Sequence, residues 1–234
     1  AWENDLTAFR AYGPALQETG ERAFGYDIWT KYNTTEPVVE ARYEGELNPD
    51  MKAKIAELGK TDPKAAQELY RSVSYHVDHG NGLDCYKVGP TLGGGTTALM
   101  AGDTIIYPYC YATQEILDNG PLRFTVKLVY NPLVVKGDST IIETRIITLD
   151  AGSYCNKTVV SYTNLKETMP LAVGIVLHEP DGAIVADAAN GYMTYVDPTD
   201  NAGGDNGKIF VGAAFPTLVK EAKAVLFPEK EKKE

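Results

Sequence analysis

Chemistry concentrates in one run, "SYHVDHGNGLDCYKVGPTLGGG", residues 74–95. It holds two of the chain's three histidines, two aspartates, a cysteine, a lysine and six glycines. Imidazole is the side chain best matched to proton transfer near neutral pH. His76 and His79 are therefore candidate catalytic groups, with Tyr86 a further proton donor. The same run supports a metal reading, in which His76, Asp78, His79 and Asp84 together bind a divalent ion. It also supports a plain structural one, a capping aspartate and a hydrogen-bonded histidine. The zinc-protease helix is excluded by spacing, since it needs His at i and i+4 with a Glu between. Gly80, Gly82 and Pro90 also oppose a helix. Residues 75–77 are expected as strand and 78–82 as turn, so that His76 faces one side and His79 sits in the loop.

Other residues are candidates for holding a substrate. In "AWENDLTAFRAYGP", Arg10, Tyr12 and Ala8 share one strand face. A guanidinium beside a phenol is an anion clamp, because it binds carboxylate in bidentate fashion. The alternative is an ion pair with Glu3 or Asp5. Lys87 carries a similar ambiguity. His178 ends the apolar "GIVLHE" beside a turn, and is either solvated or a substrate contact. Trp29, in "GYDIWTKY", offers an aromatic surface. Fifteen tyrosines against six phenylalanines suit a sugar cleft, but half-buried strands are the favoured reading.

Several chemistries are unsupported. "GPTLGGGTTAL" lacks the Gly-Lys-Ser/Thr ending of a phosphate loop, and its glycines read instead as close backbone approach or a bulge. There is no GxSxG and no Cys–His signature of a nucleophilic hydrolase. Glu3, Asp5, Asp27 and Asp84 are nominal candidates for paired carboxylates. Three cysteines and no CxxC allow at most one disulfide and do not suggest structural zinc. A net charge of −10 argues against nucleic acid or an anionic membrane as partner. No apolar run approaches the ~20 residues of a membrane span, so no membrane insertion is expected.

The elements that must position these groups are mostly strands. "RFTVKLVY" alternates, with Phe124, Val126, Leu128 and Tyr130 on one face. "STIIETRIITL" follows the turn at 136–138, and "NKTVVSYTNL" resumes after "DAGS". "LAVGIVLHE", "PDG" and "AIVADA" read as a hairpin, and "GYMTYVDP" and "KIFVGAAF" as two more strands. "TAFRAYGPAL" and "GYDIWTKYN" are earlier strand candidates. Residues 49–71 are polar and helix-prone, with Pro63 opening a second short helix. A short helix and a solvated charge run are expected over 218–234. No strand–helix–strand rhythm appears. The fold class expected is mainly β: a large antiparallel β-sandwich, one domain over 1–234, with a small helical insertion near 49–71.

"WENDLTAFRAYGPAL", "GYDIWTKY" and "YHVDHGNGLDCYKVGPTLGGG", in this order, resemble an uncharacterised-domain family of bacterial polysaccharide-utilisation loci. That family includes an oligosaccharide dehydratase of ulvan breakdown. "ITLDAGSYCNKTVVSY" resembles a strand pair of carbohydrate-active β-sandwiches of the galactose-mutarotase (supersandwich) type. The similarity covers most of residues 1–215. It departs at the ends, where family members are longer, so a trimmed form or a piece of a longer chain is expected. The resemblance implies a periplasmic or secreted bacterial carbon–oxygen lyase. Its substrate would be an anionic oligosaccharide ending in an unsaturated uronic acid, as polysaccharide lyases leave. In such a dehydration His76 and His79 would supply the proton pair, with Tyr86 as alternative acid. Arg10 and Lys87 would hold the carboxylate. No cofactor is firmly expected, and a divalent metal is compatible. The alternative is a non-catalytic carbohydrate-binding module of the same architecture, which has little use for a His–Asp–His cluster. Oligomeric state is left open.

Overall fold

Short runs of β-branched and aromatic residues, broken by Gly, Pro, Asn and Asp, become strands joined by tight turns. The computed structural model describes residues 1–32, 34–179, 182–199, 206–215 and 219–223. Its strands are β1 (Trp2–Glu3), β2 (Thr7–Arg10), β3 (Asp27–Lys31), β4 (Gly82–Asp84), β5 (Gly94–Ala101), β6 (Thr104–Ile106), β7 (Tyr111–Asn119), β8 (Arg123–Tyr130), β9 (Leu133–Val135), β10 (Asp138–Asp150), β11 (Lys157–Thr163), β12 (Leu171–Ile175), β13 (Ile184–Asp187), β14 (Tyr192–Asp197) and β15 (Ile209–Ala214). The helices are α1 (Pro14–Gln17), α2 (Val39–Leu47), α3 (Pro49–Thr61) and α4 (Pro63–Val73). Four antiparallel sheets result, in the orders β1-β2-β3-β4, β11-β10-β8-β7 with β9 on β10, β12-β5-β6, and β13-β14-β15.

The two larger sheets pack face to face. Trp2, Phe9 and Tyr26 meet Val126, Leu128, Tyr130, Ile147 and Leu149 in one core. This is the buried face that the alternation of "RFTVKLVY" requires, and each large side chain so buried stabilises by about 1.5–3 kcal/mol. The protein is thus a mainly β sandwich with a helical insertion. Glu143 and Arg145 interrupt the apolar row of β10. Arg145 Nε donates to Glu143 Oε1 (2.5 Å), Tyr162 Oη donates to Glu143 Oε2 (2.9 Å), and the guanidinium lies 4.4 Å from the Tyr130 ring centroid. Pairing and ring contact offset the desolvation of two fully buried charges.

The opposite face of the first sheet carries the site. Register pairs Ala8 with Trp29, Arg10 with Asp27, and Trp29 with Asp84. Directly opposed residues share a face, so these five side chains look the same way. Ala8 and Trp29 pack on Val39, Tyr43 and Tyr75 of the helical arm. The arm is tied down by a remote cap. No side chain of its own caps α2; instead the Glu3 carboxylate accepts from the N–H groups of Val38 and Val39, and from Lys31 Nζ at 2.7 Å. Asn48 and Asp62 cap α3 and α4, each followed by proline at the first helical position, the usual N-terminal arrangement.

Several expectations are corrected. Residues 75–77 form a turn and not a strand, because their main-chain groups bond to Glu46, Ser74 and Asp84 rather than to a ladder. The helical insertion begins upstream, at Val39. Strand β2 ends at Arg10, and Pro14 opens the short α1. Strands β12 and β13 exist but are not a hairpin: β12 pairs with β5 and β13 with β14. Of the short helix and charge run expected over 218–234, residues 219–223 are not helical, and 218 and 224–234 lie outside the described residues. The glycine run does permit close approach. Gly93 has φ +56, and a Cβ there would lie 2.5 Å from the Tyr26 carbonyl oxygen. All three cysteines are free. No described helix is long and apolar enough to cross a membrane.

Candidate functional site

The turn that follows α4 presents His76, and residue 84 clamps that turn at two points. The Asp84 N–H donates to the Tyr75 carbonyl (2.9 Å), and the Asp84 carbonyl faces His76 Nδ1 (3.1 Å). A carbonyl only accepts, so the network assigns the proton to Nδ1. Nε2 is left with its lone pair on a side chain that is 46% exposed. His76 and Asp84 line a cleft of about 280 Å³ together with Gln67, Tyr70, Arg71 and Ser74, and with Asn206 from the segment before β15. Positions 67, 70, 71 and 74 fall on one helical face by their spacing. The Arg71 side chain makes no hydrogen bond or ion pair among the described residues, so a base and an unengaged guanidinium share one concavity.

Arg10 lies under this cleft and does not line it. Its Nη2 contacts Asp27 Oδ2 and donates to Asp84 Oδ2 (2.9 Å) and Tyr12 Oη (3.3 Å), while Nη1 donates to Tyr43 Oη (2.7 Å). The guanidinium also lies over the rings of Tyr12 and Trp29. Two buried carboxylates thus share one cation. Burial, then the Asp84 charge, pushes the Asp27 carboxyl up to about 7 against the pull of Arg10. Burial, then Asp27, likewise pushes the Tyr12 hydroxyl above the ordinary phenol range. Trp29 is enclosed, with the Tyr75 ring stacked on it at 5.3 Å and Tyr43 tilted at 5.4 Å.

The remaining candidates lie elsewhere. His79 Nε2 bonds the Ser74 carbonyl (2.9 Å). Asp78 accepts from Tyr32 Oη (2.6 Å) and from the N–H of Gly80 and Gly82. Against its partial desolvation, these bonds hold its carboxyl below the usual range. His76, Asp78, His79 and Asp84 therefore do not converge, and among the described residues no three His, Cys, Asp or Glu side chains are grouped to hold a metal. Tyr86 is buried and donates to the Gly93 carbonyl (3.0 Å); burial, then Asp197, holds its hydroxyl well above the ordinary range. His178 stands edge-on to Tyr86, with Nδ1 on Asp197 Oδ2 (2.5 Å) and Nε2 on the carbonyl of Lys87 (2.7 Å), whose side chain is exposed.

The structure thus brings His76 and Asp84 into the cleft, ties Arg10, Tyr12 and Trp29 behind Asp84, and gathers Tyr86, Lys87 and His178 in a second cluster. Sequence reasoning missed Arg71 and Gln67. The available signal was the helical spacing of Gln67, Arg71 and Ser74 running into "SYH".

Comparison with known proteins supplies a family. A protein of Formosa agariphila named "Uncharacterized protein P7" is 27% identical over 201 residues, which are 83% of this chain and 44% of the relative. The chain therefore spans less than half the length of the curated relative it matches. No solved structure matches. The model of the family described as "Domain of unknown function (DUF4861)" matches residues 1–234, and the chain belongs to that family.

Proposed function

We propose that this domain is an oligosaccharide dehydratase, a carbon–oxygen lyase that removes water from unsaturated uronic-acid-terminated oligosaccharides. The observation that carries the reading is the cleft itself: His76 with Nε2 freed by the bond at Nδ1, beside an unengaged Arg71. The ulvan and polysaccharide-locus context, and a periplasmic or secreted location, enter from the resemblance of the 2–16, 25–32 and 75–95 blocks alone. In this reading Arg71 replaces Arg10 as the carboxylate anchor, because the charge of Arg10 is already met by Asp27 and Asp84.

His76 Nε2 takes the proton of a ring C–H bond. The electron pair of that bond becomes the new C=C bond as the C–O bond breaks. The departing hydroxyl keeps the C–O pair, accepts the proton from the imidazolium and leaves as water. Atoms and charge balance with no oxidant or reductant. Such an acid–base group contributes about 10²–10⁴ in rate, and an oriented carboxylate adds through positioning.

The test is His76→Ala. Turnover is expected to be abolished while binding, measured by calorimetry, stays within about tenfold of wild type. Wild-type protein that binds the oligosaccharide without converting it would make the domain a binding module.

A further inference from the structure

We infer that Arg10 is a positioning residue, which fixes the orientation and tautomer of His76 through Asp84 and does not meet the substrate. The chain of contacts is continuous. Tyr12, Tyr43 and Asp27 hold the guanidinium on the sheet face, and its Nη2 grips Asp84 Oδ2 at 2.9 Å. Asp84 in turn holds the turn by its main chain, N–H to the Tyr75 carbonyl and carbonyl to His76 Nδ1. Tyr75 is stacked on Trp29, which lies under the same guanidinium. Residue 84 therefore engages Arg10 through its side chain and the imidazole through its main-chain carbonyl, and the same Oδ2 lies 4.0 Å from His76 Nδ1. Releasing the side chain loosens the carbonyl that keeps the proton on Nδ1 and the lone pair on Nε2. A hydrogen-bonded partner that fixes which ring nitrogen carries the proton is how a histidine base is oriented.

The inference rests on the acid–base role proposed for His76, but its first readout does not. Long-range ¹H–¹⁵N spectra report the His76 tautomer directly. The Nδ1–H form is expected to dominate in wild type. The Nε2–H form should become populated in Arg10→Lys and in Asp84→Asn, both checked for cooperative unfolding. The second variant keeps the main chain and covers the case in which the first does not fold. In turnover, both variants should lose about 10–100-fold in kcat with KM changed less than about threefold. An unchanged tautomer in the folded variants overturns the inference. So does a raised KM at constant kcat, which would place Arg10 on the substrate. A tautomer shift in the variants of a wild type that converts nothing would keep the positioning link and remove the proposed activity.

Discussion

Replacing Asp27 with asparagine should make the protein's stability less sensitive to pH. Asp27 is fully buried, accepts from the Ile28 N–H at 2.8 Å, and shares Arg10 Nη2 with Asp84. Burial first and Asp84 second raise its carboxyl from 3.8 to about 7. The unfolded chain releases this proton near pH ~4, whereas the folded chain keeps it until pH ~7. Between those values the native state binds more protons than the unfolded state, so stability falls as pH rises. The contribution is fully present below pH ~4 and lost through pH ~7. Three pH units at ~1.4 kcal/mol each set the full span near 4 kcal/mol, of which roughly 2–3 kcal/mol falls between pH 5 and 8. The amide keeps an acceptor for Ile28 and has no proton to lose. Urea unfolding of wild type and Asp27→Asn across this range compares the carboxyl pair on Arg10 with Asp84 alone. The variant's advantage should grow by about 2–3 kcal/mol from pH 5 to pH 8. A constant difference would mean that Asp27 is ionised throughout. A disadvantage that grows with pH would mean that Arg10 requires both carboxylates.

Two further outcomes are expected. Glu3→Gln keeps an acceptor for the α2 N–H groups but strips the charge facing Lys31, whose side chain is only 2% exposed; it should cost about 3 kcal/mol in urea unfolding. Arg71→Ala should raise KM about 10–100-fold with a smaller change in kcat, measured by steady-state kinetics on an unsaturated uronyl oligosaccharide.

The strands were legible wherever one face is buried. "RFTVKLVY" alternates because Val126, Leu128 and Tyr130 must meet Phe9 and Trp2. Partners were not legible: alternation finds β12 and β13 but does not say that they join different sheets. Helix α2 was invisible because its cap, Glu3, sits 35 residues before Val38. "SYHV" imitates a strand, and only its main-chain bonds to Ser74, Glu46 and Asp84 show it to be a turn. The face shared by Arg10 and Tyr12 was readable from period two. Its partners were not, since Asp27 and Asp84 reach Arg10 only through the register of three strands. Arg71 looks like any arginine on a polar helix; convergence with His76 in three dimensions is what distinguishes it.

Mass spectrometry of an unsaturated uronyl oligosaccharide incubated with wild type and His76→Ala tests the central claim most directly. Loss of one water per chain with wild type, and none with the variant, is the expected result. Substrate returned at unchanged mass by the folded wild type, or water lost equally with both proteins, would contradict it.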